Sequence, residues 1–315
     1  MKVIFVASGN KAVGTVSSFV RTQFESLEEE GVEMVMAPVV GHGLSGYVKH
    51  FWSLRKLIKN EKPDVVHAHY SVCGYLASLA SVGLKTKVVV SILGSFPSMT
   101  RKLRTVRFFV DHVWDAVIVK SERTKNQLGR DVAVIPNGVN IEKFKIVGKE
   151  EAKRSVGLDA AKRYVIFVSN PERKEKNFGL AEEAFEMLNE KKDIVLLPVF
   201  DKSHDEVVKY MCGADVLLMT SLKEGSPNVI KEAMACNCPV VVTDVGDVRW
   251  VTAGVDGTYV ADTYEPKEIA ELLERALRFG KRTEGREQIL RLELTTEKVA
   301  QRIQDVYLKA IDNHE

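Results

Sequence analysis

Short apolar segments alternate with amphipathic helical segments along most of the chain. Ten segments read as strands because they are short, rich in Val and Ile, and bounded by polar residues or turns. In chain order they are VIFVA (3–7), VEMVMAPV (32–39), DVVHAHY (64–70), KVVVSIL (87–93), DAVIVKS (115–121), VAVIPN (132–137), YVIFVSN (164–170), DIVLLPV (193–199), DVLLMTS (215–221) and PVVVTD (239–244). Continuous apolar strands separated by helices predict parallel sheets that are covered on both faces.

Helical periodicity fills the intervals between these strands. Helices are predicted near 15–30, 46–60, 72–83, 99–113, 122–128, 177–189, 204–212, after Gly225, and near 295–311. The alternation runs twice, with a charged, weakly periodic stretch at 138–163 between the two runs. We therefore predict an α/β protein with two Rossmann-like, doubly wound parallel-sheet domains that face a central cleft. Residues 1–145 form the first domain, 146–295 form the second, and the final helix, 296–315, packs back on the first.

Charge divides the chain in the same place. Residues 1–145 contain 20 Lys/Arg against 12 Asp/Glu, a balance of +8, whereas the remainder contains 25 against 31, or −6. Such a division suggests two domains that face different partners. No apolar run approaches the ~20 residues of a membrane-spanning helix. The start, MKVIFVASG, lacks the features of a signal peptide.

The cysteines help to place the protein in a compartment. Cys73, Cys212, Cys236 and Cys238 show no metal-ligand spacing with histidines, and the last two are too close for an ordinary disulfide. We expect four reduced thiols in the core of a cytoplasmic protein.

Ligands of open parallel sheets bind at the carboxyl ends of the strands, beside helix N-termini. The loop after 215–221 reads KEGSPNVIKEAMA (223–235), with Glu224 and Glu232 on either side of a turn. Ser226 fits the N-cap of the following helix and Pro227 its first position. The helix start offers unpaired N–H groups, which suit a diphosphate.

Helical spacing sorts the residues of this segment. The face predicted to be buried holds Val229, Ile230, Ala233 and Met234, and the face toward the crevice holds Asn228, Glu232 and Ala235. Glu224 is expected to reach hydroxyls beyond the phosphate. Glu232, about 9 Å deeper along the helix, is expected to bind a ribose diol. The alternative is a pair of solvated glutamates on a capped helix.

These residues resemble glycosyltransferase family 4, whose members have the GT-B fold. The family motif is an acid, seven residues and a second acid, usually written E-G-x-P…E-A-M-A. PDVVHAHYSVCGYLA (63–77), VAVIPNGVNIEKF (132–144) and DEVVKYMCGADVLLMTSLKEG (205–225) also resemble family segments, in the family's order. The resemblance spans almost the whole chain. It implies a retaining glycosyltransferase that uses a nucleoside-diphosphate sugar, with the acceptor on the first domain and the donor on the second.

The resemblance also implies roles for individual residues. Glu224, Arg173 and Lys176 are expected to be catalytic, the two cations by stabilising the departing diphosphate. Read alone, a Lys/Arg-rich loop such as SNPERKEKNF (169–178) is more often a solvated turn. Expected donor-binding residues are Glu232, Gly225, Ser226, Pro227, Asn228 and Gly14. The G-x-G-x-x-G dinucleotide pattern is absent from the loop SGNKAVGTVSS (8–18) that holds Gly14.

Two further features concern the acceptor and the metal. His69 ends a strand and is expected to line the acceptor pocket, although a packed histidine is the alternative. His67 and His69 are expected to point to opposite faces of the strand, which argues against metal binding. Leu93 stands where many family members carry a histidine that contacts the sugar. No D-x-D motif occurs, so we expect no metal and no other cofactor.

Two segments combine basic and apolar residues, YVKHFWSLRKLIK (47–59) and TRKLRTVRFF (100–109). They are interpreted as helices with solvated basic faces, or as a surface for an anionic acceptor or an anionic membrane. Nucleic acid is not expected, because the aromatic residues are predicted to be buried rather than displayed.

The predicted function is therefore metal-independent retaining transfer of a sugar to a polysaccharide, lipid-linked or small-molecule acceptor. Its predicted location is the cytoplasm, with contact at the inner face of the membrane as a further expectation. The alternative function is a non-catalytic nucleotide-sugar-binding subunit of a glycosyltransferase complex.

Overall fold

A computed structural model describes residues 1–10, 14–41, 43–94 and 101–312. The chain forms two compact units, 138–295 and the remainder, and each unit has its own parallel sheet flanked by helices. The predicted α/β class with two Rossmann-like sheets is confirmed. The predicted boundary at 145 differs from the observed one at 137. Residues 138–145 join the second unit because Val139 and Phe144 are buried in its core.

The first unit contains a six-stranded sheet in the order β2-β1-β3-β4-β5-β6. Its elements are β1 (Lys2–Ser8), α1 (Ser18–Glu29), β2 (Glu33–Val39), α2 (Gly43–Glu61), β3 (Val65–His69), α3 (Ser71–Ser81), β4 (Lys87–Ile92), α4 (Arg101–His112), β5 (Ala116–Val119), α5 (Glu122–Leu128), β6 (Ala133–Val134) and α13 (Thr296–Asp312). All neighbouring strands are parallel. The start of the fourth predicted helix, at 99–100, lies outside the described residues.

Helices cover both faces of this sheet. Helices α2, α3 and α4 pack on one face, against a core that includes Ile4 and Val6. Helices α1 and α13 cover the other face, where Val3 and Phe5 are buried. The alternation along β1 follows from the two-residue period of a strand. The prediction that the closing helix packs on the first domain agrees with this arrangement.

The two basic helices of the first unit display one aromatic residue each. Trp52 in α2 is 74% exposed and Phe108 in α4 is 56% exposed. The expectation that these aromatics are buried is therefore wrong for both residues. In each helix the neighbouring residue, Phe51 or Phe109, packs against the core instead. Adjacent positions on a helix lie about 100° apart around its axis. The two rings of a neighbouring pair therefore cannot both face the core.

The second unit contains a five-stranded parallel sheet in the order β11-β10-β9-β7-β8. Its elements are α6 (Lys149–Ser155), β7 (Arg163–Phe167), a 3-10 turn (Lys174–Lys176), α7 (Phe178–Glu186), β8 (Ile194–Pro198), α8 (His204–Gly213), β9 (Val216–Met219), α9 (Asn228–Ala235), β10 (Val240–Thr243), α10 (Val248–Thr252), β11 (Thr258–Ala261), α11 (Pro266–Phe279) and α12 (Gly285–Arg291). Strand β7 lies between β8 and β9. The direction of strand addition therefore reverses between β7 and β9.

Candidate active site

The candidate site lies in the second unit, where the strand order reverses. The loop after β7 carries Arg173 and Lys176, and the loop after β9 carries Glu224. Both loops leave the carboxyl edge of the sheet, since β7 and β9 are parallel neighbours. The crevice at such a reversal is the usual ligand site of a doubly wound sheet. The topology therefore brings together two loops that are about 50 residues apart in the chain.

Hydrogen bonds fasten the first of these loops to the end of β9. The Thr220 hydroxyl donates to the carbonyl oxygens of Lys176 and Asn177, at 3.1 and 2.8 Å. The N–H of Leu222 donates to the carbonyl oxygen of Glu175 at 3.0 Å. These bonds fix the backbone that carries Lys176 next to the backbone that carries Glu224.

Lys176 and Glu224 form an ion pair across the two loops. Lys176 Nζ lies 2.5 Å from Glu224 Oε1, and the two side chains are only 16% and 21% exposed. Charges in such a partly enclosed position interact more strongly than a surface pair. A ligand that carries both an anionic group and hydroxyls could take the place of this contact.

Arg173 has a different partner. Its guanidinium contacts Glu175 Oε1 at 2.6 Å, and its side chain is 54% exposed. Hydrogen bonds from the backbone N–H of Glu175 and from Arg173 hold the pKa of the Glu175 carboxyl below its usual value. Of the two predicted cations, only Lys176 contacts Glu224.

The turn between the two glutamates is held from below by a buried network. Ser226, Lys231 and Asp247 are at most 6% exposed. Lys231 Nζ donates to Ser226 Oγ at 2.7 Å and to Asp247 Oδ2 at 2.8 Å, and Ser226 Oγ donates to the same carboxylate oxygen at 2.7 Å. A buried ion pair with these additional hydrogen bonds fixes one geometry of the turn.

This network explains one error in the predicted capping. The expectation that Ser226 is the N-cap and Pro227 the first helical residue is wrong by one position. Helix α9 begins at Asn228, Pro227 is the N-cap, and no side chain caps the helix. The hydroxyl of Ser226 instead points into the network with Lys231 and Asp247.

Gly246 lets the next loop approach the turn closely. Its φ is +61°, and a Cβ at this position would lie 2.6 Å from the carbonyl oxygen of Gly225. Only glycine combines this backbone conformation with such a contact. The loop that carries Asp247 can therefore lie directly against Gly225.

Polar atoms without partners surround the start of α9. Ser221 Oγ, Asn228 Oδ1 and Asp247 Oδ1 are buried and form no hydrogen bond with any described residue. Ser221 and Lys176 also line a small cavity at the carboxyl ends of β7 and β9. Buried polar groups normally have partners. Together with the uncapped helix start, these atoms make the region suitable for a polar, anionic ligand.

Glu232 lies one turn into α9 and is half-buried. Burial raises the pKa of its carboxyl to about 7, although the charge of Lys231 opposes the increase. The predicted outward face of α9 is only partly right. Asn228 and Glu232 are partly exposed, but Ala235 is fully buried because α9 also packs against α12.

The predicted residues of the first unit are less open to a ligand. The N–H of Gly14 donates to the carbonyl oxygen of Gly9 at 3.0 Å, so this amide already has a partner. The neighbouring residues 11–13 lie outside the described part of the chain. Leu93 is half-buried and directly follows β4.

His69 is fully buried, and the orientation predicted for it is wrong. The rings of His67 and His69 lie 4.5 Å apart on the same face of β3, since alternate residues of a strand share a face. Neither ring nitrogen of His69 has a partner among the described residues. Burial, then the charge of Lys120, lowers the pKa of His69 to about 3. The ring is enclosed and does not line an open pocket.

The described residues contain no evident metal site and no disulfide. No group of three or more His, Cys, Asp or Glu side chains among them could hold a metal ion. All four cysteines are free and buried. Within the same residues, no helix is long and apolar enough to cross a membrane.

The sequence interpretation missed Lys231, Gly246 and Asp247. One signal was available: a lysine inside the apolar segment NVIKEAMA needs a buried acid as its partner. The candidate acid, in the turn TDVGDV, follows the next strand of the same sheet. The role of Gly246 depends on a backbone contact that no sequence pattern displays.

The two sheets and the site at the β7–β9 reversal define a fold of the GT-B type. Residues 13–143 match the family model described as Glycosyltransferase Family 4, and residues 165–278 match the model described as Glycosyl transferases group 1. The chain belongs to the glycosyltransferases of the family 4 type.

Similar proteins agree with this assignment. A teichuronic acid biosynthesis glycosyltransferase of Bacillus subtilis, TuaC, is 27% identical over 245 residues, which are 69% of this chain and 61% of TuaC. A Campylobacter jejuni enzyme named N,N'-diacetylbacillosaminyl-diphospho-undecaprenol alpha-1,3-N-acetylgalactosaminyltransferase is 24% identical over 300 residues, with 78% and 77% coverage. The structure of Anabaena Alr3699/HepE in complex with UDP-glucose has a TM-score of 0.74 at 14% identity and covers 97% of this chain and 98% of HepE. The last likeness shows the fold alone.

Proposed function

We propose that the chain transfers a sugar from a nucleoside-diphosphate sugar to an acceptor, with retention of configuration and without a metal or other cofactor. The observation that carries this proposal is the contact between Lys176 and Glu224 at the β7–β9 reversal. A nucleotide sugar has an anionic diphosphate joined to a hydroxylated sugar. The ammonium group of Lys176 suits the diphosphate, and the carboxylate of Glu224 suits the hydroxyls of the sugar.

In the proposed reaction Lys176 stabilises the diphosphate as it leaves. Negative charge grows on the diphosphate when the bond to the sugar breaks, so a cation there lowers the energy of the transition state more than that of the ground state. Glu224, released from Lys176, would accept hydrogen bonds from sugar hydroxyls. Arg173 would leave Glu175 and contact the diphosphate together with Lys176. Breaking the Arg173–Glu175 pair costs little free energy, because exposed ion pairs are weak.

The start of α9 would hold the rest of the donor. Its free N–H groups and the turn Gly225–Asn228 face the phosphates, and Glu232 binds the ribose diol. The unpartnered oxygens of Ser221 and Asn228 favour a polar ligand here. No side chain is an evident nucleophile, which suits a front-face mechanism in which the leaving phosphate helps to deprotonate the acceptor.

The first unit would bind the acceptor. Acceptors of three kinds fit the proposal: polysaccharide, lipid-linked or small-molecule. The Campylobacter relative, named for a diphospho-undecaprenol-linked sugar, favours the lipid-linked kind. His69 does not enter this proposal, because its ring is enclosed. Free thiols in the core favour a cytoplasmic location.

Thermal-shift measurements with UDP-, GDP- and ADP-sugars test the donor site. A donor at 100 times its Kd should stabilise the protein by about 2.7 kcal/mol. We expect at least one donor to raise the Tm, and Glu232→Ala to abolish the increase. Glu271→Ala, on the exposed face of α11, is the matched control and should keep it. The donor assignment is wrong if every donor leaves the wild-type Tm unchanged.

Catalysis needs a separate measurement. Incubation of the purified chain with the stabilising donor should release the nucleoside diphosphate slowly by hydrolysis, with EDTA present. Lys176→Met and Glu224→Gln should reduce this release by at least about 100-fold, as losses of transition-state stabilisation do. Donor binding without any release in the wild type would favour a non-catalytic binding subunit.

A further inference from the structure

A serine that could cap helix α9 is held away from the helix. The segment SPNV (226–229) has the residues of an ordinary capped start, with serine at the N-cap and proline at the first helical position. In the structure α9 begins one residue later, at Asn228, and no side chain caps it. A common rule of helix formation therefore fails beside the candidate site, and such failures are expected where function competes with stability.

The hydroxyl of Ser226 is engaged both as an acceptor and as a donor. Lys231 Nζ donates to Ser226 Oγ at 2.7 Å, and Ser226 Oγ donates to Asp247 Oδ2 at 2.7 Å. A serine caps a helix by accepting a hydrogen bond from a backbone N–H of the first turn. Here the ammonium group of Lys231 takes the place of that N–H, and Asp247 fixes the direction of the O–H bond.

The two residues that hold this hydroxyl form a buried ion pair. The side chains of Lys231 and Asp247 are 1% and 3% exposed, and Lys231 Nζ lies 2.8 Å from Asp247 Oδ2. A buried ion pair adds little stability compared with apolar side chains of the same size, because the cost of removing both charges from water offsets their attraction. The pair therefore points to a role in the geometry of the turn rather than in stability.

The first turn of α9 lies beside the cation of the proposed reaction. Lys176, Ser221 and Val229, the second residue of α9, line the same small cavity. Ser221 Oγ and Asn228 Oδ1 are buried there without a hydrogen-bond partner among the described residues. A serine cap would occupy one of the few N–H groups that this turn can offer to a ligand.

We propose that Lys231 and Asp247 are positioning residues that keep Ser226 from capping α9, so that the N–H groups of its first turn remain available to the donor diphosphate. This inference rests on the proposed function and adds to it a role for two residues that touch no substrate. Without the pair, α9 would begin at Pro227 with Ser226 as its cap, and the donor would have to displace that cap. A competing state of this kind weakens binding in proportion to its population.

Calorimetric binding of UDP, GDP and ADP to the full chain tests the proposal. Lys231→Met with Asp247→Ala removes both charges together and so leaves no buried charge unpaired. This double variant should bind the nucleoside diphosphate about fivefold more weakly than the wild type, which is the ratio that corresponds to a typical serine cap. Lys191→Met with Glu186→Ala is the matched control and should keep the wild-type affinity, because it removes an exposed ion pair at the end of α7 in the same unit.

Addition of Ser226→Ala to the double variant separates the cap from other effects. It removes the hydroxyl that forms the cap, so it should raise the affinity of the double variant about fivefold. In the wild-type background the same substitution should not raise the affinity, because the hydroxyl is already held by Lys231 and Asp247. Loss of the Lys231 charge also raises the pKa of the Glu232 carboxyl further above its usual value. Ser226→Ala changes no charge, so a restored affinity reports on the cap alone.

Hydrogen exchange of the wild-type chain gives a measurement that does not depend on the folding of a variant. The N–H groups of Asn228 and Val229 should exchange about tenfold more slowly with the nucleoside diphosphate bound than without it. The proposal is overturned if they are already protected in the free chain, if the double variant binds like the wild type, or if Ser226→Ala does not restore its binding. If the wild type binds none of the three nucleoside diphosphates, the proposed function itself fails, and this inference fails with it.

Discussion

Glu232 is held in an environment that disfavours its charge. Burial raises the pKa of its carboxyl to about 7, so a substantial fraction is protonated at neutral pH in the free protein. A carboxylate binds a diol best when it is ionised, since it then accepts two hydrogen bonds. If Glu232 holds the ribose diol as proposed, donor binding removes a proton from this residue.

This requirement predicts a pH dependence of donor binding. Because the folded-state pKa of Glu232 is raised, donor affinity should increase by about tenfold per pH unit up to pH 7 and level off above it. Isothermal titration with an intact nucleotide sugar between pH 5.5 and 8.5 measures this slope. An intact donor is needed because its diphosphate does not titrate in this range.

The control for this measurement is Glu232→Gln, which keeps the size of the side chain and cannot ionise. Its affinity should be lower at pH 8 and nearly independent of pH. If the variant keeps the wild-type slope, another group titrates and the role assigned to Glu232 is wrong.

Individual site residues could be predicted from the sequence where they lie at a fixed spacing from the end of a strand. The Glu224–Glu232 pair and the cations of the 173–176 loop were predicted from their positions around strand ends, and the structure brings Lys176 and Glu224 together there. The Lys231–Asp247 contact was not predicted, because it joins helix α9 to the loop after β10, 16 positions away in the chain. The orientation of His69 was misjudged because the two-residue period of a strand was misapplied.

Helix α13 is the element that completes the first unit. Its buried residues, which include Val299, Ile303 and Tyr307, follow helical spacing and cover one face of the sheet. The Tyr307 hydroxyl lies 2.6 Å from His67 Nδ1, and both residues are fully buried. Burial, then the charges of His69 and Lys120, keeps the pKa of His67 well below its usual value.

Tyr307→Phe should therefore destabilise the protein. The substitution keeps the ring but leaves Nδ1 of the buried His67 without its partner, which costs about 1–3 kcal/mol. Urea denaturation measures the difference in the free energy of unfolding. Leu308→Ala, at a half-exposed neighbouring position, should change it by much less, and equal effects of the two variants would contradict this role for the hydroxyl.

The sequence predicted the strands better than the helices. All ten strands interpreted from Val/Ile runs are present, including the two-residue β6. Strand β11 and helices α6, α10, α11 and α12 were not predicted. Four of them have only four to seven residues, too few to display a period. Helix α11 is different, because it has 14 residues and its buried residues follow helical spacing, so its pattern was available in the sequence and was missed.

The two units have separate hydrophobic cores, so the second unit has the packing it needs to fold without the first. Two apolar clusters of the second unit lie on either side of its own sheet, and both contain only residues between 139 and 294. Every residue of the proposed donor site except Gly14 also belongs to this unit. The donor site should therefore survive without the first unit.

We predict that a chain of residues 138–295 folds alone and binds the donor that stabilises the whole protein. Its melting should be cooperative, and its affinity by calorimetry should be within about tenfold of the parent value, since buried area for the ligand comes from one unit. Residues 1–137 without α13 are the counterpart and should aggregate, because one face of their sheet is then covered by α1 alone. A second unit that folds but does not bind would show that the first unit supplies donor contacts.

The return of α13 to the first unit has a consequence for synthesis on the ribosome. The strands of the first sheet and α1 are translated before the second unit, but α13, which completes the cover of one face, is translated after it. The second unit is contiguous in the chain and can finish folding while that face is still exposed. Nascent chains must therefore carry a partly uncovered apolar sheet face while the second unit is synthesised, and we expect ribosome-associated chaperones to bind the first unit at that stage.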